Sequence, residues 1–538
     1  MADAAISKRK SGRDTSRDGL RNRFEFYLAT NFRAFWEFVN RTPFLARIFN
    51  YLVVNNAVRK GPARPFPLST FAPYTSWQSL TDRTYFARYL PPREATDLPP
   101  IEKVTELFAV GPDGPTLSER STLLLPVFAQ WFTDSFLLTD DYNRLRTKTP
   151  HQVDLNPVYG MSPDVTNVLR LRSEAAGQRG RLKTETVNGE EWAPRLYDSA
   201  GVKKPEFAIV PPPLRLPAQW PAEKRAALFA FGGERANSSA FTSMMNTLFI
   251  REHNRLCRVL ESAHPSWDDE RVFQTACNIN IVQLIRIVVE EYINHMSNAW
   301  FRCLSDPKPC YRAEWNRPNW IPIEFNLLYR WHSFVPEYVA WNGEAQPMES
   351  FFFDNTALLR EGLARGFDNA SRTRSWKLGL FNTARFLLPV EADSIRQGRE
   401  CKLATYNDYR EVMQYPRLTR FEQINSNPRV VDALRRLYGH VDKIEYFVGL
   451  FAEEVPPRLA VTPIIQRMVS VDAFSHALTN PLLAPLIFNA ETFSSEGMEV
   501  IQAIATLKDV VERNIAKRPN NIKVTMEFDG NDDHAPTS

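Results

Sequence analysis

The chain has 538 residues, 43% of them hydrophobic and 24% charged, with 66 Lys and Arg against 62 Asp and Glu for a net charge of +4. That length can bury a large core, while so small a charge gives nucleic-acid binding no electrostatic support. Five cysteines (Cys257, Cys277, Cys303, Cys310 and Cys401) form an odd set without a CxxC pair, which speaks against a disulfide framework or a zinc site and for a reducing compartment.

Residues 1–23 are rich in Lys, Arg, Ser and Asp and lack an apolar run; they are expected to be disordered, and to be neither a signal peptide nor a spanning helix. Over residues 24–56 large apolar side chains recur at helical spacing, interrupted by Arg33, Arg41 and Arg47 and broken at Pro43. Short aromatic-rich amphipathic helices of this kind suit either insertion into one leaflet or packing against a body, and composition does not choose between the two. Residues 61–73, rich in Pro and Gly, read as a link. Helical periodicity returns over 123–138, 241–262, 268–296, 350–364 and 498–515 with little strand-like alternation, so the expected fold class is mostly α. The expected organisation is a basic N-terminus (1–23), amphipathic helices (24–60), a helical body (61–518) and a flexible polar tail (519–538).

The segment Glu324-Phe325-Asn326-Leu327-Leu328-Tyr329-Arg330-Trp331-His332 sets a tyrosine and a histidine three residues apart among apolar and aromatic neighbours. On a helix, positions i and i+3 share a face, which is what an iron ligand and a redox-active phenol beside it would need. An isolated Tyr-x-x-His is most often a satisfied core histidine, but this one has company. Upstream lie Arg251-Glu252-His253-Asn254-Arg255, His264-Pro265, Trp267-Asp268-Asp269-Glu270, Phe273-Gln274-Thr275 and Glu291-Tyr292. Nearer the N-terminus are Tyr74-Thr75-Ser76-Trp77 and Tyr85-Phe86-Ala87-Arg88-Tyr89-Leu90-Pro91; further on are Leu437-Tyr438-Gly439 and Asp472-Ala473-Phe474-Ser475. Taken together these motifs resemble the animal-type haem peroxidases, and within them the cyclooxygenases and fatty-acid dioxygenases, over most of the chain.

The resemblance implies a helical haem peroxidase domain with monotopic membrane-binding helices at its N-terminus, peripheral on a cytoplasmic membrane surface and without a transmembrane span. It implies noncovalent haem b held by His332, a radical on Tyr329, and Gln130, Asp134 and Arg235 at the peroxide-binding side. Arg88 would hold a fatty-acid carboxylate, with Ser475 and Tyr292 along the acyl channel. Polyunsaturated fatty acid and O2 follow as substrates, and a homodimer is possible.

Departures from the pattern matter as much. Asp134 stands where the family carries a distal histidine, so the peroxidase reaction is expected to be weakened, since an imidazole is the better proton shuttle near neutral pH. Thr133 and Ser238 replace the carboxylates that esterify haem in the myeloperoxidase branch, no calcium loop is recognisable, and Arg235 matches that branch's distal arginine. Ala299 replaces the tyrosine that partners the carboxylate-binding arginine. The expected activity is oxygenation of a polyunsaturated fatty acid to a hydroperoxide or endoperoxide. Isomerisation of a fatty-acid hydroperoxide and a noncatalytic membrane-surface role are the alternatives.

Overall fold

Helical periodicity in the sequence makes helix the main regular structure, about half of the chain, and strands among the described residues form three short antiparallel pairs beside isolated bridges. The computed structural model describes residues 24–515 and 521–530, apart from 26, 63–73, 75 and 458; the expected disorder of 1–23 and most of the 61–73 link lie outside these. The elements that matter for the site are α1 (Arg33–Arg41), α2 (Pro43–Val58), β1 (Leu117–Thr122), α3 (Leu124–Thr133), β2 (Glu185–Val187), β3 (Glu190–Trp192), α4 (Ala240–Ala263), α5 (Asp269–Ile287), α6 (Ile323–Leu328), β4 (Tyr338–Trp341), β5 (Glu344–Pro347), β6 (Arg374–Trp376), α7 (Leu388–Glu400) and α8 (Pro463–Leu478). β1 pairs with β6, β2 with β3, and β4 with β5.

α4 begins at a reciprocal cap. The Ser239 side chain accepts the Thr242 N–H, and the Thr242 hydroxyl accepts the Ser239 N–H, which satisfies two otherwise orphaned donors. The helix buries Phe241, Met244, Met245, Leu248 and Phe249 and packs against α3 and α5. α5 is capped by Asp268, whose carboxylate accepts the Arg271 N–H at 2.8 Å, with Asp269 and Glu270 in the first turn to complement the helix dipole. It runs on into a π-helical turn, Val288–Ile293, and a last turn, Asn294–Met296. The stretch Asp269–Met296 is long and apolar enough to cross a membrane, yet 78% of its apolar window is buried inside the body, as befits a core helix.

Other periodic stretches are shorter than the sequence suggests. The helix expected over 123–138 ends at Thr133, that over 350–364 breaks at Gly362 (φ 89°), and that over 498–515 divides into Ser495–Gln502 and Leu507–Asn514. The C-terminal tail also departs from expectation. Its described part lies along β1, with the Thr122 N–H donated to the Met526 carbonyl and the Phe528 N–H donated to the Arg120 carbonyl, and Met526 is buried. All five cysteines are free thiols.

The apolar residues of α1 and α2 divide between two roles. Trp36 packs edge-on against Phe49, 5.3 Å away, and both meet Phe301 of the body. Buried Asn50 exchanges two hydrogen bonds with the Leu304 backbone, and α2 packs on α8. Phe35, Phe38, Phe44, Ile48 and Leu52 instead face outward, Phe38 being 60% and Phe44 72% exposed.

Candidate active site

α6 is buried along its whole length, but it ends at Leu328. Tyr329 already leaves helical geometry (φ −87°, ψ 15°), Trp331 follows at φ −86°, ψ 46°, and His332 opens a 3-10 turn that runs to Phe334. The shared helical face expected for Tyr329 and His332 is therefore not how they are placed; aromatic packing holds the segment instead. The Tyr329 ring stacks on Trp331 with centroids 4.8 Å apart, Phe325 meets it edge-on at 4.9 Å, and Trp331 meets Phe334 at 5.6 Å. Such pairs add roughly 0.5–1.5 kcal/mol each beyond the area they bury, enough to fix a short irregular segment.

His332 keeps 17% of its side chain accessible, and its Nδ1 lies 3.2 Å from Glu391 Oε2. The two atoms are buried, sit off the ideal hydrogen-bond line, and have no other partner among the described residues. Glu391 stands in the first turn of α7, is 1% exposed, and accepts a hydrogen bond from the Thr383 hydroxyl at 3.0 Å through its other oxygen. Nε2 is thereby the ring nitrogen left for a metal. Sequence reasoning missed Glu391, because an acid in a helix's first turn reads as a complement to the dipole.

Tyr292 comes from the π turn, whose extra residue per turn displaces side chains from α-helical register and which recurs at functional sites. It meets Phe128 and Phe132 of α3 at 5.4 and 6.1 Å and Trp331 at 6.4 Å. The Tyr292 and Tyr329 hydroxyls are buried without a hydrogen-bond partner among the described residues, yet close enough for each to act on the other's ionisation. Burial holds both phenols well above their ordinary range, and Tyr292 draws Tyr329 part of the way back. Tyr292 is thus the neighbour of the radical candidate. Ser475, on α8, is buried and donates to the Asp472 carbonyl of its own helix at 3.1 Å; α6 and α8 pack together, and the Asp472 charge reaches Tyr329.

Arg88 is buried and not open to solvent. It is 2% exposed and donates to the Cys401 carbonyl at 2.7 Å, and its charge holds down a Glu324 carboxyl that burial raises. Glu324 Oε1 accepts from the Tyr89 N–H at 3.0 Å and the Tyr409 hydroxyl at 2.8 Å. A buried cation so placed compensates a buried anion, while Arg88 Nε and Nη1 stay without a hydrogen-bond partner among the described residues.

On the α3 side, Gln130 is exposed and donates to the Ser238 hydroxyl at 3.2 Å. Asp134, just past the end of α3, accepts from Arg235 Nη1 at 3.4 Å. Burial lifts its carboxyl to about 6 against the pull of Arg235 and, more weakly, Arg330. Arg330, pushed down to about 10 by burial, stays charged and donates to Asn326 Oδ1 at 3.2 Å, tying this side to the His332 segment. A narrow cleft lined by Asp134, Asn156, Gly233 and Arg235 opens here. His151 is not a substitute base, because one ring nitrogen meets the Arg83 carbonyl and the other accepts the Ile321 N–H. A separate cavity of about 400 Å³, lined by Arg93, Lys402, Thr405 and Glu445 among others, contains none of the candidate residues.

These groups fit a haem. One imidazole nitrogen is open while the other is backed by a carboxylate, oxidisable aromatic rings lie beside it, and an amide, an acid and an arginine are gathered on the α3 side. Known proteins point the same way. The animal haem peroxidase family model matches residues 141–525. Prostaglandin G/H synthase 2 of Equus caballus is 28% identical over 511 residues, 92% of this chain and 81% of that protein. Peroxidase A of Dictyostelium discoideum superposes with a TM-score of 0.66 at 18% identity, covering 82% of this chain and 95% of that one. The fatty acid alpha-dioxygenase of Arabidopsis thaliana gives 0.66 at 14% identity, covering 95% and 96%. With a mostly helical fold, an imidazole open to a metal and a family match over most of its length, the chain belongs to the animal haem peroxidases and is a haem-binding oxidoreductase.

Proposed function

We propose that the protein is a haem-dependent oxygenase of polyunsaturated fatty acids in which Tyr329 is the hydrogen-abstracting residue. The observation that carries this reading is the Tyr329 hydroxyl, buried among aromatic rings three residues from His332 and close to the Tyr292 hydroxyl. Haem held noncovalently by His332 Nε2 supplies one-electron oxidising power once a peroxide is present. Tyr329 gives up its phenolic hydrogen atom, and the tyrosyl radical then takes a bis-allylic hydrogen from the acyl chain, reforming its O–H bond. O2 adds to the carbon radical, and the resulting peroxyl group takes the hydrogen back from Tyr329 to give a hydroperoxide and renew the radical. Trp331, Phe325 and Tyr292 exclude water and hold the ring, and Ser475 borders the acyl channel.

Asp134, Gln130 and Arg235 handle the activating peroxide. With its carboxyl at about 6, Asp134 is mostly ionised at neutral pH and can accept a proton, but it is a poorer shuttle than an imidazole. Oxygenation needs only trace activation, so it persists while hydroperoxide reduction is slow. This weakened peroxide side also favours a second reading, isomerisation of a preformed fatty-acid hydroperoxide.

The outward faces of α1 and α2, with Phe38, Phe44, Ile48 and Leu52 beside exposed Arg41 and Arg47, suit insertion into one leaflet. Arg88, whose Nε and Nη1 are buried without a hydrogen-bond partner among the described residues, is the proposed holder of the acyl carboxylate. Oxygen uptake by haem-reconstituted protein given linoleate or arachidonate with a trace of peroxide tests the reading. Uptake that vanishes in Tyr329→Phe supports it. Absence of uptake by the wild type, with conversion of a preformed hydroperoxide, moves the assignment to the isomerase.

A further inference from the structure

We propose that Glu391 is a positioning residue for the iron ligand: its carboxylate accepts a hydrogen bond from His332 Nδ1–H, fixes Nε2 as the coordinating nitrogen, and strengthens the imidazole as a donor to the metal. The inference rests on haem binding at His332. Nδ1 and Glu391 Oε2 lie 3.2 Å apart, and each has no other partner among the described residues. The Thr383 hydroxyl fixes the second carboxylate oxygen, so the first cannot swing away without breaking that bond.

A helix-dipole role would account for an acid in the first turn of α7, but not for its burial away from water or for the imidazole nitrogen that faces it. Glu391 is 1% exposed, and a carboxylate that deep is retained only if donors reach it. Among the described residues those donors are Thr383 and His332. Ligand imidazoles commonly donate their second N–H to a carboxylate, and the partner sets both tautomer and donor strength. A stronger imidazole donor stabilises the ferric and higher oxidation states over the ferrous one. The arrangement therefore suits an enzyme that oxidises a phenol and not one that stores O2 on ferrous iron.

The test compares haem-loaded wild type with Glu391→Gln by the iron–histidine stretching band of the ferrous form and by the ferric/ferrous midpoint potential. In Glu391→Gln the band is expected at lower frequency and the potential at a more positive value, with haem stoichiometry unchanged. Thr383→Val, which keeps the carboxylate but removes its anchor, is expected to shift both in the same direction by less. Unchanged band and potential in haem-loaded Glu391→Gln overturn the inference. If the variants do not fold, the cyanide-ligated wild type decides by proton NMR. A slowly exchanging, strongly downfield Nδ1–H supports the pair, and exchange at the solvent rate overturns it. Failure of the wild type to take up haem overturns this inference together with the proposed function, whereas haem uptake with no Glu391 effect overturns this inference alone.

Discussion

On the His332 side of the site, side chains are buried among aromatic rings and the histidine faces a carboxylate fixed from behind; on the Asp134 side, Gln130 is exposed, Arg235 is a quarter open to solvent, and a carboxylate stands in for a base. The difference separates two kinds of chemistry. Moving one electron from a phenol depends on fixed, dry surroundings, because its energetics are set by neighbouring dipoles and charges. Moving a proton within a bound peroxide depends on a base of suitable pKa. Under the proposed function the first arrangement serves the phenol and the second the activating peroxide.

Four experiments bear on this contrast, in decreasing order of expected effect. Tyr329→Phe is expected to abolish oxygen uptake while the haem absorption band is retained, since the ring still packs on Trp331; persisting uptake breaks the assignment of the His332 side. Asp134→His is expected to raise peroxidase turnover on the order of 10²-fold with little change in oxygenation at saturating activator; stopped-flow reduction of a lipid hydroperoxide measures it. Peroxide consumption by the wild type is expected to fall as pH drops through about 6, where Asp134 protonates, with the acid limb absent in Asp134→Asn. The same group has the opposite sign for stability: its carboxyl is raised on folding, so its favourable contribution is present at low pH and lost as pH rises through about 6. The smallest effect on turnover is expected from Phe38→Ser with Phe44→Ser, which should leave uptake of detergent-solubilised substrate unchanged. Vesicle sedimentation should weaken by roughly 10²-fold or more, given roughly 1.5–3 kcal/mol for each of the two apolar side chains removed from water.

The parts of the molecule legible in the sequence are those whose signal is local. Periodic helices such as Ala240–Ala263 follow from the spacing of apolar residues, and Tyr329, His332 and Asp134 stand in recognisable segments. What was not legible depends on groups distant in the chain. Arg88 reads as a surface or entrance cation until Glu324 and Cys401 are seen to enclose it. Glu391 reads as a dipole complement until Thr383 and His332 close around it. The end of α6 at Leu328 has no Gly or Pro to announce it; packing among Phe325, Tyr329, Trp331 and Phe334, joined by Tyr292 from the π turn, holds the following residues out of helical geometry. The tail near Met526 looks like a polar extension until the open edge of β1 supplies its backbone partners.

The π turn at Val288–Ile293 sets the bearing of Tyr292 by the number of residues in the helix rather than by their chemistry. Removing one residue there, so that ordinary α-helical winding resumed, would rotate one side of the break by about 100° relative to the other. The phenol facing Tyr329 would then be exchanged for whichever neighbour came round. For this stretch of chain, insertions and deletions are therefore a coarser and more powerful means of variation than substitutions, able to give the radical a different companion in one genetic event while leaving every amino acid of the site intact.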